Sequence, residues 1–448
     1  MARPIRIEKV FTGLFQASVL ALALSGCEQP EKAKESTTSA ASIQLNPQAF
    51  AAQAGLEAYT SLSQASQSAQ VLDSKLASFL YHPNPMSQQG IKDAWRQAYD
   101  DYLRSLVFSY LPIQDPPDWY KERIAYKDIL IQLDSWPVQG GYIDYVSGYP
   151  FSGIVNDLTL TINETTLLNQ HRFTDVTNAS LGYHALEFMI WGDDGARTAH
   201  DFFPQENTAP VLISEGGSAF ENNPHRIPED QTPATEIQGE PQTQPAEIEA
   251  EQPSNEAGEI SEAGEVSEPV QPEPQNHNRR RQYIQLVSEL LQKDLNRIQR
   301  RWEPSTGYYA QLIQQSTPEN TLQAALIAAQ RLISEEILNK RFSLESSEFS
   351  NSSVRDIQVL LNGLQAWFKP ADESLQEGSL MFLMEQSNPT HAGQFAQQLS
   401  DSQQCLELPA GEQADNQLLQ QCKQQIIGLL SALQTSARSM KVVLPALD

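Results

Sequence analysis

His184 and Glu187 stand three residues apart in Gly182-Tyr183-His184-Ala185-Leu186-Glu187-Phe188-Met189-Ile190-Trp191-Gly192, an otherwise apolar run. Positions i and i+3 share one face of a helix, so the imidazole and the carboxylate point at one spot. Titratable groups in an apolar setting need a partner. A metal ion is one such partner. The pair offers it two donors, whereas iron or zinc takes roughly three to six. Glu336, Asp144, Asp356 or water would supply the rest. A buried hydrogen bond between the two side chains is the other way to satisfy them. The bare spacing is common: with 7 His and 56 acidic residues in 448 positions, chance supplies about one such match. A zinc peptidase needs more than this pair. Phe188 stands where His-x-x-Glu-His would place its second histidine, and no His-Glu-x-x-His or Gly-x-Ser-x-Gly motif is present.

Helices must position these groups. Apolar residues recur at helical spacing over Ile91–Leu111, Ile154–Leu168, Tyr283–Trp302, Thr321–Phe342, Val354–Phe368 and Gln417–Val443. No convincing run of alternating strand residues interrupts them. The pattern predicts an all-α protein: two helical-bundle halves facing each other, over 47–204 and 281–448, compatible with an internal duplication. Between them, 205–280 is rich in Pro, Glu, Gln, Ser and Gly, and reads as a disordered acidic insert. Arg279-Arg280-Arg281 at its end reads as a solvated face or a local salt interaction. Trp136, Tyr142, Tyr145 and Trp191 read as packing residues.

The N-terminus carries an export signal over 1–26. Arg3, Arg6 and Lys9 precede an apolar stretch from Phe11 to Leu24. Leu24-Ser25-Gly26-Cys27 looks like a bacterial lipobox, which implies cleavage before Cys27 and its acylation, with 27–46 as a tether. Glu28 rather than Asp favours the outer membrane, facing the periplasm. The net charge is −26, and 228–276 alone holds thirteen acidic and no basic residues. That balance argues against nucleic acid as a partner. Cys405 and Cys422 remain after Cys27; in an oxidising compartment they are a candidate disulfide, with two separate buried thiols as the alternative.

Gly-x-His-x-x-Glu followed by an apolar run and Trp-Gly resembles the signature of the imelysin family, which covers insulin-cleaving bacterial proteases and iron-regulated outer-membrane lipoproteins. Leu133-Asp134-Ser135-Trp136-Pro137, Gly141 to Tyr145 and Ser152 to Asp157 resemble the block that precedes this signature. Glu336 lies where the family has a Glu-Leu-Ala run ending in Arg-Met. Ser347 to Asp356 resembles a second signature, usually His-Ser-x-Phe-Ser. Here Ser346 replaces the usual histidine, and Val354 stands where another is expected. The resemblance implies a metal site built on His184 and Glu187, with Glu336 as a further ligand. Asp144, Ser350, Arg355 and Asp356 would line the same cleft; an N-cap cluster opening the Val354 helix is the plainer account of Ser350 to Ser353. It also implies binding of iron or an iron carrier in iron uptake, with a metallopeptidase as the alternative and a structural or interaction lipoprotein as the second.

Overall fold

The computed structural model describes residues 45–112, 124–195, 197–205, 276–407 and 415–447. The export signal, Cys27, the tether up to residue 44 and nearly all of the acidic insert lie outside the described residues. The first half contains α1 (Gln48–Tyr81), α2 (Pro85–Ser105), α3 (Tyr126–Leu133), α4 (Gly140–Ile143), α5 (Glu164–Gln170) and α6 (Gly182–Trp191). The second contains α7 (His277–Arg301), α8 (Tyr308–Gln315), α9 (Pro318–Arg331), α10 (Ser353–Phe368), α11 (Leu380–Ser387), α12 (Pro389–Cys405) and α13 (Asn416–Ser439). The described residues form no β-strand; one isolated bridge joins Val146 and Tyr149.

Local chemistry explains the main elements. Along α1, Ala54, Ala58, Leu62, Ala65, Ala69, Leu72 and Leu76 recur every three or four residues and are all buried. The small alanines let neighbouring helices approach closely. α2 starts at a capping box, in which Asn84 accepts from the Ser87 amide and the Ser87 hydroxyl accepts from the Asn84 amide, with Pro85 in the first turn. α1 packs on α2 in its own half and on α7, α8 and α9 in the other, so the halves share one core. Cys405 and Cys422 form a disulfide between α12 and α13.

α7 begins at His277, ahead of the boundary expected at 281; of the two accounts of Arg279 to Arg281, the solvated face is corrected, and Arg280 makes the salt interaction, with Asp144. Arg279 donates to the carbonyls of Ile154, Val155, Asp157 and Leu160. Arg280, fully buried, takes Asp144 in two hydrogen bonds. Arg281 donates to the carbonyls of Leu80 and Phe202. Arg279 and Arg280 thus tie the second half to the segment that follows α4, and Arg281 ties it to the end of α1 and to Phe202. Helix spacing turns them to different faces, so each finds different carbonyls.

The helix after α9 is a π-helix, Leu332–Arg341. Its i→i+5 hydrogen bonding brings residues five apart onto one face. Both Lys340 and Arg341 therefore reach Glu336, at 2.8 Å each.

Candidate functional site

His184 lies on α6, which is buried along its whole length. The glycine of the motif has a steric reason. Gly182 sits at φ +85°, and a Cβ there would fall 2.3 Å from the Leu133 carbonyl oxygen and 2.4 Å from that of Gln132. Only glycine lets the start of α6 touch the end of α3. That contact sets Asp134, at the C-terminal cap of α3, against the imidazole.

Both ring nitrogens of His184 are engaged. Nδ1 is 2.8 Å from Glu187 Oε2; Nε2 is 3.0 Å from Asp134 Oδ1 and 2.9 Å from the Tyr99 hydroxyl. Burial alone would lower the imidazole pKa, but the hydrogen bonds to Asp134 and Glu187, with their charges, outweigh it and hold His184 at about 9. At neutral pH it is an imidazolium donating through both nitrogens. The Asp134 carboxyl moves the other way: burial raises it, yet the His184 hydrogen bond and the Arg341 charge keep it below its usual range.

Glu187 is held on its second oxygen as well. The backbone amide and hydroxyl of Ser350 donate to Oε1 at 2.8 and 2.6 Å. The serine run does open α10, with Ser352 at its N-cap, but no side-chain hydrogen bond caps the helix, and Ser350 turns toward α6.

Arg341 stands at the centre. Its Nε donates to Glu336 at 2.8 Å and its Nη1 to the Tyr99 hydroxyl at 3.3 Å. Asp134 and Asp356 each lie 3.5 Å from it, and its guanidinium stacks over Trp136. Burial disfavours this cation; Tyr99, Glu336, Asp134 and Asp356 reverse the balance and raise its pKa. Asp356 also accepts from Ser346 and Ser347, at 2.6 and 2.7 Å. Burial nevertheless pushes its carboxyl up to about 6. Glu336 accepts from Tyr110 at 2.6 Å as well as from Lys340 and Arg341, and is held below its usual range although burial opposes this. Lys340, with 55 % of its side chain exposed, and half-buried Trp136 bring the cluster to the surface.

The structure thus gathers His184, Glu187, Glu336, Ser350 and Asp356 into one network, together with Ser346, which stands in for the family's histidine. It places two expected residues elsewhere. Asp144 is fully buried between Arg197 Nη1, at 2.6 Å, and Arg280, and its two cations outweigh burial and depress its pKa. Arg355 pairs with Asp100 on α2, with 47 % of its side chain exposed. Asp134, Tyr99 and Arg341 were missed. Asp134 lies inside a family block quoted above and Arg341 five residues beyond Glu336, but Tyr99 reads in sequence as one more apolar ring on α2.

The donor set does not fit a resident metal in this arrangement. Both His184 nitrogens are already taken, by Glu187 at 2.8 Å and by Asp134 and Tyr99 at 3.0 and 2.9 Å, and Arg341 lies among the carboxylates. Among the described residues, no three His, Cys, Asp or Glu side chains converge as a metal-holding group.

In this all-helical fold the Gly-x-His-x-x-Glu helix α6 is buried against α2, α3, α4 and α7. The imelysin family model matches residues 56–440, and the chain belongs to that family. A crystal structure from Parabacteroides distasonis ATCC 8503, provisionally described as an iron-regulated protein A precursor, shares the fold with a TM-score of 0.54 at 11% identity, over 88% of this chain and 96% of that one. No curated protein matches the chain. No helix among the described residues is long and apolar enough to cross a membrane.

Proposed function

We propose that this chain is an exported, lipid-anchored binding protein of iron acquisition, one that holds an iron carrier and does not cut peptides. One observation carries the reading: both nitrogens of His184 already donate to carboxylates or lie against Tyr99. Metal-assisted hydrolysis needs lone-pair ligands, an open coordination position and a free base. Here both imidazole nitrogens are engaged and Glu187 accepts on both oxygens. The serines are no better placed as nucleophiles. Ser346 and Ser347 donate to Asp356, and Ser350 to Glu187, with no imidazole as their base. A bare ferrous, ferric or zinc ion would have to displace the His184 proton and the Arg341 guanidinium together. A chelated ion would not; it would meet the outer edge of the cluster at Lys340 and Trp136. Membership of the imelysin family and likeness to a protein described as iron-regulated support the link to iron. The Leu24 to Cys27 run supports the lipid anchor.

The test uses the soluble chain that starts after Cys27. Ferrous, ferric and zinc ions, and ferric citrate as a chelated form, are titrated by calorimetry into wild type and Lys340→Ala. Bound metal is counted by elemental analysis, and casein and insulin are offered as substrates. Saturable uptake of about one chelate per chain, weakened in the variant and without digestion, is the expected result. Zinc-dependent digestion lost in His184→Ala would replace this reading with a peptidase. No binding of any form would leave a structural or interaction lipoprotein.

A further inference from the structure

A second imidazole, outside the His184 network, joins the two segments that meet there. The partners of His171 fix where its proton sits. The Ser180 backbone N–H can only donate, and it reaches Nδ1 at 3.2 Å. The Ile131 carbonyl can only accept, and it lies 3.1 Å from Nε2. The ring is therefore neutral, with its proton on Nε2. The Ser135 hydroxyl, 3.4 Å from Nε2, donates to the same carbonyl.

We infer that His171 is the positioning residue that sets Asp134 against His184, and that it does so only as a neutral ring, so that acid undoes the contact. Ile131 lies on α3 one turn before Asp134, and Ser180 lies one turn before His184 and leads into Gly182. The clamp thus closes beside the place where Gly182 meets the carbonyls of Gln132 and Leu133. The chain turns back to bring Ser180 there. His171 ends α5, Arg172 takes a left-handed backbone at φ +56°, and the Arg172 amide donates to the Asn178 carbonyl at 2.8 Å. A non-glycine residue keeps that conformation only where its surroundings over-determine it. Ser180 is pinned on its other atoms too: its hydroxyl donates to the Leu167 carbonyl at 3.2 Å, and its own carbonyl accepts from Tyr283 at 2.6 Å. The clamp acts whatever the site binds.

A proton on Nδ1 would set one N–H against another, that of Ser180. Burial pushes the imidazole down to about 4, against the Ile131 hydrogen bond and with the help of the Arg172 charge. Among the described residues, Asp128 and Asp134 with α3, Tyr142 of α4, Glu164 of α5, His184 and Glu187 of α6 and Tyr283 of α7 add nothing to this balance. An unfolded imidazole titrates near 6.5. The clamp therefore contributes in full above that pH and is lost as pH falls toward 4.

Long-range nitrogen–proton NMR of the histidine rings in wild type, His171→Phe and His171→Gln tests this. At neutral pH, His171 should be the neutral form protonated on Nε2. The His184 ring should lose its proton at about 9 in wild type. In His171→Phe that midpoint should fall by about one pH unit, because the Asp134 hydrogen bond loosens. Glutamine offers one acceptor and one donor on a single amide, so His171→Gln should restore most of the wild-type midpoint. A role confined to packing would cost stability in both variants and leave their midpoints equal. Between about pH 7 and pH 4, exchange of the Ser180 amide, corrected for the intrinsic pH effect, should rise severalfold in wild type and stay flat in His171→Gln. A His184 midpoint unmoved in His171→Phe, equal midpoints in the two variants, or flat exchange in wild type would overturn the proposal. Should His171→Phe fail to fold, the wild-type ring still decides: a charged His171, or one protonated on Nδ1, at neutral pH would overturn it.

Discussion

Raising the pH from about 7 to about 9.5 should strip the proton from His184 and weaken the fold. The unfolded imidazole titrates near 6.5, and the folded one at about 9. The folded protein therefore keeps a proton that the unfolded chain releases. Stability from this group is complete below pH 6.5 and is lost as pH rises through about 9. The gap is worth roughly 3 kcal/mol, an upper figure because the pair is strongly coupled. For a fold of this size that corresponds to a fall in Tm of roughly 4–6 °C. Other perturbed groups barely touch this window. Asp356, at about 6, and Glu57, at about 7, titrate on its acid side, and Tyr99 is pushed well above 10. Thermal unfolding followed by circular dichroism at several pH values, in wild type and His184→Gln, isolates the effect. Wild type should lose most of its advantage over the variant between pH 7 and 9.5. A constant difference across that range would refute the claim that His184 is an imidazolium pinned between Asp134 and Glu187.

Two further outcomes follow from the same network. Arg341→Met should cost about 3–5 kcal/mol at pH 7 in urea unfolding, because it strands Glu336, Asp134 and Asp356 without their shared cation. The cost should shrink at pH 5, where Asp356 takes a proton; a loss under about 1 kcal/mol at both pH values would argue that the carboxylates do not depend on Arg341. Gly182→Ala should destabilise by at least about 2 kcal/mol, since φ +85° disfavours any Cβ and this one would strike the Leu133 carbonyl. It should also flatten the alkaline loss described above, because Asp134 moves away from His184; an unchanged pH profile would show that the contact does not set the pair.

How much of this was legible in the sequence depends on whether a residue's role is local. The helices announce themselves through apolar spacing, and the His184–Glu187 pair through i, i+3 geometry, because both are properties of one segment. Glu336 and Asp356 were found through family blocks alone. Asp134 and Arg341 reach His184 only because Gly182 permits one backbone to touch another and because a π-helix turns Arg341 onto the face of Glu336. Neither the close approach nor the extra residue per turn leaves a pattern in composition. Arg279 to Arg281 show the opposite error. A basic run beside an acidic insert looks like solvated charge, yet each guanidinium has fixed partners, Asp144 among them, and most of these are backbone carbonyls. Carbonyls are invisible to a reading of side chains. A carboxylate counted by type, as Asp144 was, can therefore already belong to a cation elsewhere. The same logic bears on the metal question. Counting donors around His184 suggests a cation site, and the structure places a cation there: the guanidinium of Arg341. An iron ion entering this cluster would have to compete with a covalently tethered positive charge, which is the reason for proposing a carrier that keeps its own ligands.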